Sequence, residues 1–155
     1  MNLIVAADRN WAIGKDGDQL CYLPADLKRF QALTTGHTVI FGRKTLTTFP
    51  GARPLKGRRN LVLSRQAGLE IEGAEVFQDL DALRRAAPAD GGESVYRALL
   101  DACDTAYVTR IDAAWPADSF FPDLDRRADW YVAGAEAPLE HEGLVFRYVT
   151  YRRRP

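Results

Sequence analysis

Four short, mainly apolar runs, Leu3 to Ala7, Thr38 to Phe41, Asn60 to Ser64 and Ala74 to Phe77, alternate with segments of helical character, and this alternation restricts the fold more than any other feature. The first two runs are continuous rather than period-two, the pattern of strands buried on both faces. Strands of that kind separated by helices pair in parallel, with the helices laid over the sheet. Helices are expected over 24–34, 43–48 and 79–87, the last capped by Asp79. From Gly91 the pattern repeats, with a helix over 93–101 and a strand from Thr105 to Ile111. The C-terminal third differs: Asp129 to Ala133 and Leu144 to Tyr151 read as two strands joined through Pro138 and Gly143, an antiparallel return at one edge. The expectation is a single α/β domain over 1–155, a central mostly parallel sheet flanked by helices with an antiparallel C-terminal edge hairpin.

At 155 residues the chain can bury roughly two thirds of its unfolded surface without disulfides or metals. Lys plus Arg equals Asp plus Glu at 21 each, so no net charge draws it to nucleic acid or a membrane surface. Cationic sites must therefore be local. Cys21 and Cys103 have no short metal-ligand spacing and form no disulfide framework, which points to a reducing cytoplasm. The apolar run at the N-terminus is too short for a signal segment, and no span approaches the ~20 apolar residues of a membrane helix. The triplet Arg152-Arg153-Arg154 reads as a solvated end.

Pro24 suits the first position of a helix, and Asp26 two residues on suits its positive end. Phe30 and Leu33 lie at i+4 and i+7 from Asp26, so the carboxylate shares a face with hydrocarbon. An acid kept partly dry either finds a partner or has its pKa raised. Taken alone, Asp26 is as simply explained as a solvated first-turn acid. Ligands of parallel sheets lie past the carboxyl ends of the strands. There Phe41 gives way to Gly42-Arg43-Lys44-Thr45, Leu63 to Ser64-Arg65, and Gly91-Gly92 precedes the segment with Tyr96. Glycines let backbone N–H groups approach a phosphate, and basic side chains add charge. Each of these cations singly reads as ordinary surface charge; their shared placement at strand ends argues for an anion site. Residues 8 to 23 form a long polar connection that reads as a mobile flap.

The chain resembles the dihydrofolate reductase family from one end to the other. The resemblance rests on Trp11-Ala12-Ile13-Gly14, the Pro24 to Phe30 helix, Gly42-Arg43-Lys44-Thr45, and Arg53-Pro54-Leu55-Lys56-Gly57-Arg58-Arg59-Asn60. It continues through Leu63-Ser64-Arg65, Gly91-Gly92-Glu93-Ser94-Val95-Tyr96, Tyr107 to Asp112 and Phe121-Pro122-Asp123. It implies reduction of 7,8-dihydrofolate by hydride transfer from NADPH, a small-molecule substrate, sensitivity to antifolates, and a monomer with no nucleic-acid or membrane partner. Asp26 would be the catalytic acid beneath the pterin, with Thr109 completing its hydrogen bonds and Ile4 and Val5 lining the pocket. Phe30 and Phe49 would hold the aminobenzoyl ring, and Arg58, assisted by Arg53, the α-carboxylate of the glutamate tail. Ala6, Ile13, Gly14, Gly42, Leu63 and the Gly91 to Tyr96 segment would contact cofactor. Arg43, Lys44 and Thr45 would bind its phosphates, and Ser64 with Arg65 the 2′-phosphate that separates NADPH from NADH. The flap, residues 14 to 22, would exclude solvent during transfer.

Three places depart from the family pattern. Cys21 stands where a tryptophan is common, and Gln19 where a Leu or Met packs on the nicotinamide. Before Gly91, where the family has an apolar central strand, this chain has Ala86-Ala87-Pro88-Ala89-Asp90, a poor strand sequence that follows directly from a helix. The sheet is thus expected to be one central strand short. Two other readings stay open: a non-catalytic NADPH-binding domain that lost its pterin pocket with the strand, and, independently, a related reductase of a riboflavin-pathway pyrimidine, for which Arg58 would be idle.

Overall fold

The computed structural model describes residues 1–16, 18–86, 92–94 and 97–155. The first apolar run is β1 (Asn2–Ala7), and a short β2 (Ala12–Gly14) lies in the connection after it. Helix α1 (Pro24–Thr34) leads to β3 (Thr38–Gly42), the four-residue α2 (Arg43–Leu46), β4 (Arg59–Leu63) and β5 (Ala74–Phe77). Then come α3 (Leu80–Ala86), β6 (Gly92–Ser94), β7 (Thr105–Ile111) and β8 (Ser119–Phe120). The chain ends with β9 (Trp130–Ala135), β10 (Leu139–His141) and β11 (Leu144–Arg153).

The expected parallel pairings form, with β1 parallel to β7, and β3 to β4 to β5. Strand β11 returns antiparallel against β7 and carries both β9 and β10 on its other side. The hairpin loop expected through Pro138 thus contains a strand of its own. Side chains alternate across the sheet, so Leu3, Val5 and Ala7 of β1 join Ala106, Val108, Val149 and Tyr151 in one core. A second core joins Val39, Phe41, Leu46 and Val62, and Leu83 of α3 packs on Ile40 and Leu61 behind it. Asp79 caps α3 as expected, accepting from Ala82 N at 2.7 Å.

Two expectations are corrected. Residues 92–94 form a strand and Arg97–Ala102 a 3-10 turn, not one helix over 93–101. The backbone of Asn2 to Ile4 would otherwise lack partners on that side, and this outweighs the local helical pattern. Arg153 is no solvated end. Its guanidinium donates to the carbonyls of Cys103 (2.9 Å) and Leu100 (2.5 Å) and to Asp129 (3.0 Å), and lies over the Trp130 ring.

The sheet is not one strand short as expected: β6 pairs in parallel with β1, and residues 87–91 before it lie outside the described residues. Strand β6 pairs Gly92 with Asn2, Glu93 with Leu3 and Ser94 with Ile4, and lies beside β3, with no ladder to it among the described residues. Among the described residues the strands thus form β10-β11-β7-β1-β6 with β9, and β3-β4-β5. Among the described residues no helix is long and apolar enough to cross a membrane.

Candidate functional site

On the face of the sheet opposite the main core, Ala6 of β1 pairs with Thr109 of β7, and Thr109 with Tyr148 of β11. This row of side chains forms a floor. Leu23, just before α1, is buried with Ile111 and Phe146 on the same face, which lays the first turn of the helix across the row. Pro24 opens that turn and leaves no orphaned N–H of its own. Asp26 is thereby brought onto Thr109, whose hydroxyl donates to the Asp26 carboxylate. Arg29, one turn further, stacks its guanidinium over the Tyr148 ring at 3.9 Å and reaches Glu136 at 3.8 Å.

Burial pushes the Asp26 carboxyl above its ordinary value, against the Thr109 hydrogen bond and the Arg29 charge, which both pull it down. The first-turn acid is therefore no solvated dipole partner. Burial and the neighbouring Asp26 also push the Cys21 thiol up, so Cys21 stays protonated and packs as an apolar group beside Leu23 and Tyr148. Ile4 and Ala6 share the Asp26 face. Val5, expected at the pterin, turns its side chain into the opposite core because strand side chains alternate.

Strands β3, β4 and β5 end level with one another, Gly42 facing Leu63 and Leu63 facing Phe77. Neighbouring strands lie about 4.8 Å apart, so Arg43 and Ser64 emerge side by side. Arg43 donates to the Gln66 side chain at 2.5 Å, and Ser64 Oγ accepts from Gln66 N at 3.2 Å. Arg65 is exposed beside them, and Thr45 is half-buried in α2. With only four residues α2 contributes little dipole, so charge and backbone N–H groups are what this corner offers an anion. Lys44 continues α2. Gly92, Glu93 and Ser94 run along the amino half of β1, and Gly91, Val95 and Tyr96 lie outside the described residues.

Arg58 is half-buried at the far end of α1, donating from Nε to the Lys56 carbonyl (2.9 Å) and from Nη1 to Thr34 Oγ1 (3.1 Å). Burial lowers its pKa without approaching neutrality in effect, since a guanidinium keeps its proton. The buried Asn60 holds this loop in shape through bonds to Leu55 N, the Leu55 carbonyl and the Arg58 carbonyl. Arg53 is exposed nearby, Phe30 is half-buried on α1, and Phe49 meets Phe41 edge to face at 4.9 Å. Exposed Leu27 adds an apolar surface on α1.

The flap is tied down rather than free at its root. Strand β2 pairs with β8, Asp16 N donates to Asp118 at 2.9 Å, and buried Asp8 accepts from Asn10 N, Ala12 N and Trp115 N. Gly14 is required here, because a Cβ would stand 2.9 Å from the Asp18 carbonyl oxygen. Ile13 packs on the main core. An open cleft of about 300 Å³ lies between Lys15, Asp16, Gln19 and Leu20 of the flap and Trp115 and Pro116 opposite.

A family model described as dihydrofolate reductase matches residues 1–153. The chain belongs to the dihydrofolate reductase family. A dihydrofolate reductase from Mycobacterium leprae (strain TN) is 37% identical over 163 residues, covering 99% of this chain and 98% of that protein. One from Staphylococcus aureus (strain Mu50 / ATCC 700699) is 32% identical over 150 residues, covering 94% and 92%. The solved dihydrofolate reductase from Enterococcus faecalis, complexed with NADP(H) and RAB-propyl, matches with a TM-score of 0.85 at 31% identity, covering 99% of this chain and 96% of that one. The fold is that of the family, and the protein is an NADPH-dependent enzyme of it.

Arg29, Tyr148, Asn60 and Asp8 are the site residues that sequence reasoning passed over. Arg29 carried a signal, standing three residues after Asp26. Tyr148 carried none, since only the β7–β11 register puts it beneath α1.

Proposed function

We propose that this chain reduces 7,8-dihydrofolate to tetrahydrofolate, with Asp26 as the acid that binds and orients the pterin. The observation that carries the reading is the Asp26–Thr109 pair on the sheet face under α1, taken with the Arg43–Ser64–Arg65 corner where β3 and β4 end. The donor set of that corner suits a phosphorylated dinucleotide: two guanidinium groups, a hydroxyl and the backbone past Gly42. NADPH, when bound, supplies the hydride.

Everything else is the work of the chain. Asp26 accepts hydrogen bonds from the pterin 2-amino group and N3, and its charge favours the protonated imine. Thr109 holds the carboxylate in one orientation. Ile4, Ala6 and Phe30 form apolar walls, Phe49 borders the aminobenzoyl ring, and Arg58 with Arg53 binds the glutamate carboxylate. Lys44 and Thr45 assist Arg43 at the phosphates, and Gly14 lets the flap close against the site. The proton for N5 comes from water admitted under the flap. We read the protein as a cytoplasmic monomer of one domain, a reading supported by its two free cysteines and balanced charge.

Purified protein mixed with NADPH and dihydrofolate should oxidise the cofactor above a no-enzyme control. Asp26→Asn should lose turnover at neutral pH while keeping NADPH affinity. Folded protein with no turnover, or a variant losing both properties equally, would count against the assignment.

A further inference from the structure

One turn beyond Asp26, Arg29 places a half-buried guanidinium between an aromatic ring and a carboxylate. Its side chain is 22% exposed, has its guanidinium carbon over the Tyr148 ring at 3.9 Å, and meets Glu136, itself 67% exposed, at 3.8 Å. Tyr148 is the cross-strand partner of Thr109, and Thr109 donates to Asp26. One row of the sheet therefore holds both the hydroxyl that orients the acid and the ring that holds the cation beside it.

Every packed element contributes to the surroundings of Asp26. Strand β7 offers the Thr109 hydroxyl. Strand β11 offers the Tyr148 phenol, kept neutral by burial and by Asp26 itself. The segment before α1 offers the Cys21 thiol, kept neutral for the same two reasons. Glu136, past the end of β9, faces Arg29 from the solvent side. Among the described residues, Arg29 is the cation whose charge reaches Asp26. A guanidinium keeps its charge at every pH the protein meets, so this is a fixed field.

Resting on the reading of Asp26 as the pterin-binding acid, we propose that Arg29, clamped between Tyr148 and Glu136, is a positioning residue. Its fixed charge, one turn from Asp26, favours the carboxylate form and so bears on the pH range over which the pocket accepts a pterin. Burial alone favours the neutral acid, which offers one acceptor fewer to the pterin amide. The clamp prevents Arg29 from swinging to solvent, where water and salt would screen it. Tyr148 thus acts through Arg29, and Arg29 through Asp26.

The test is a titration of the Asp26 carboxyl in the full chain without ligand, by carbon-13 NMR of labelled aspartate, with the signal assigned by Asp26→Asn. Arg29→Gln should move the midpoint upward. Arg29→Lys should bring it back toward wild type, and Tyr148→Leu should move it upward by less than Arg29→Gln. Superimposable curves for wild type and Arg29→Gln, both folded by near-ultraviolet circular dichroism, overturn the proposal. The pH profile of kcat/KM for dihydrofolate should move in the same direction with NADPH affinity unchanged; a moved titration with an unmoved profile overturns the role in substrate acceptance. Absence of turnover in wild type would refute the reductase reading instead, while the ligand-free titration would still decide whether Arg29 governs Asp26.

Discussion

Replacing Thr109 by valine isolates the bond on which the pterin site depends. Thr109 is 3% exposed, and its hydroxyl donates to the half-buried Asp26 carboxylate. Valine keeps the shape and sets a methyl group where the donor was. Hydrogen bonds to charged groups contribute about 1.5–3 kcal/mol. Because Asp26 retains some contact with water, the lower end applies, about 1.5 kcal/mol, equivalent to roughly tenfold in an equilibrium. The bond favours the ionised acid, so its loss drives Asp26 further toward the neutral form. At a pH where both proteins are fully ionised, only orientation is lost and the defect is small. As the pH falls through the raised pKa, a larger fraction of the variant holds a neutral acid. The ratio of wild-type to variant kcat/KM for dihydrofolate should therefore climb as pH falls, levelling near tenfold. Steady-state rates from pH 5.5 to 9 measure it, with NADPH affinity by fluorescence quenching as the control. A ratio independent of pH, or a matching loss of NADPH affinity, would refute the reasoning.

Other consequences concern stability and substrate choice. Arg153→Ala removes donors to two carbonyls and to Asp129 and a stack on Trp130, a loss of about 2–3 kcal/mol and about 5–10 °C in Tm for a chain this size. A change under about 2 °C would show that water replaces those bonds. Arg58→Ala should raise the KM for dihydrofolate and leave reduction of a pterin lacking the glutamate tail untouched; equal effects on both would remove Arg58 from the substrate site. The pH dependence of unfolding separates two kinds of carboxylate. Asp26 is raised in the fold, so the folded chain takes up its proton first, and its contribution to stability grows as pH falls through that raised value toward 3.8. Asp129 and Glu75, held low by hydrogen bonds from Arg127 and Arg59, contribute stability that disappears as pH falls through their depressed values. Thermal melts of wild type and Asp26→Asn should therefore converge as the solution is acidified from pH 8 to pH 4; a constant gap would contradict the placement of Asp26.

Local chemistry made α1 legible, since Pro24 at its first position and Thr35-Gly36 after its last residue bound it without help from the rest of the chain. The strand ends of β3 and β4 were legible for the same reason, the apolar runs giving way to Gly42-Arg43 and Ser64-Arg65. What depended on pairing was not. A slip of one residue between β7 and β11 would carry Tyr148 to the other face, so no reading of 144–151 alone could assign it to Asp26. Arg153 lies in a run of three arginines with nothing local to single it out, and only the β7–β11 pairing brings it to the Leu100 and Cys103 carbonyls. Segment 92–94 was misread because its neighbours favour helix, whereas the exposed edge of β1 demands a partner.

That partner meets β1 at the wrong height for a ligand. Gly92 stands opposite Asn2, five positions before Ala7 at the carboxyl end of β1, a distance of about 16 Å at ~3.3 Å per residue. The anion-binding corner at Gly42 and Leu63 lies at the carboxyl ends of its own strands, so Gly92 and that corner are out of step. On the proposed role of the glycines at the cofactor, this register would weaken the cofactor side of the site more than the pterin side, whose proposed residues sit on α1, β7 and β11. Five β-branched or aromatic residues inserted between Asp90 and Gly91 would supply the missing length and carry the glycines level with Ala7. NADPH affinity should then rise by about tenfold or more, the free energy of one good phosphate hydrogen bond. The melting temperature should rise with it, because Val5, Ala6 and Ala7 of β1 and the edge of β3 gain ladder partners. A Gly-Ser insert of equal length adds reach without strand propensity or core volume and should do neither. If the two inserts behave alike, the register of β6 does not limit cofactor binding.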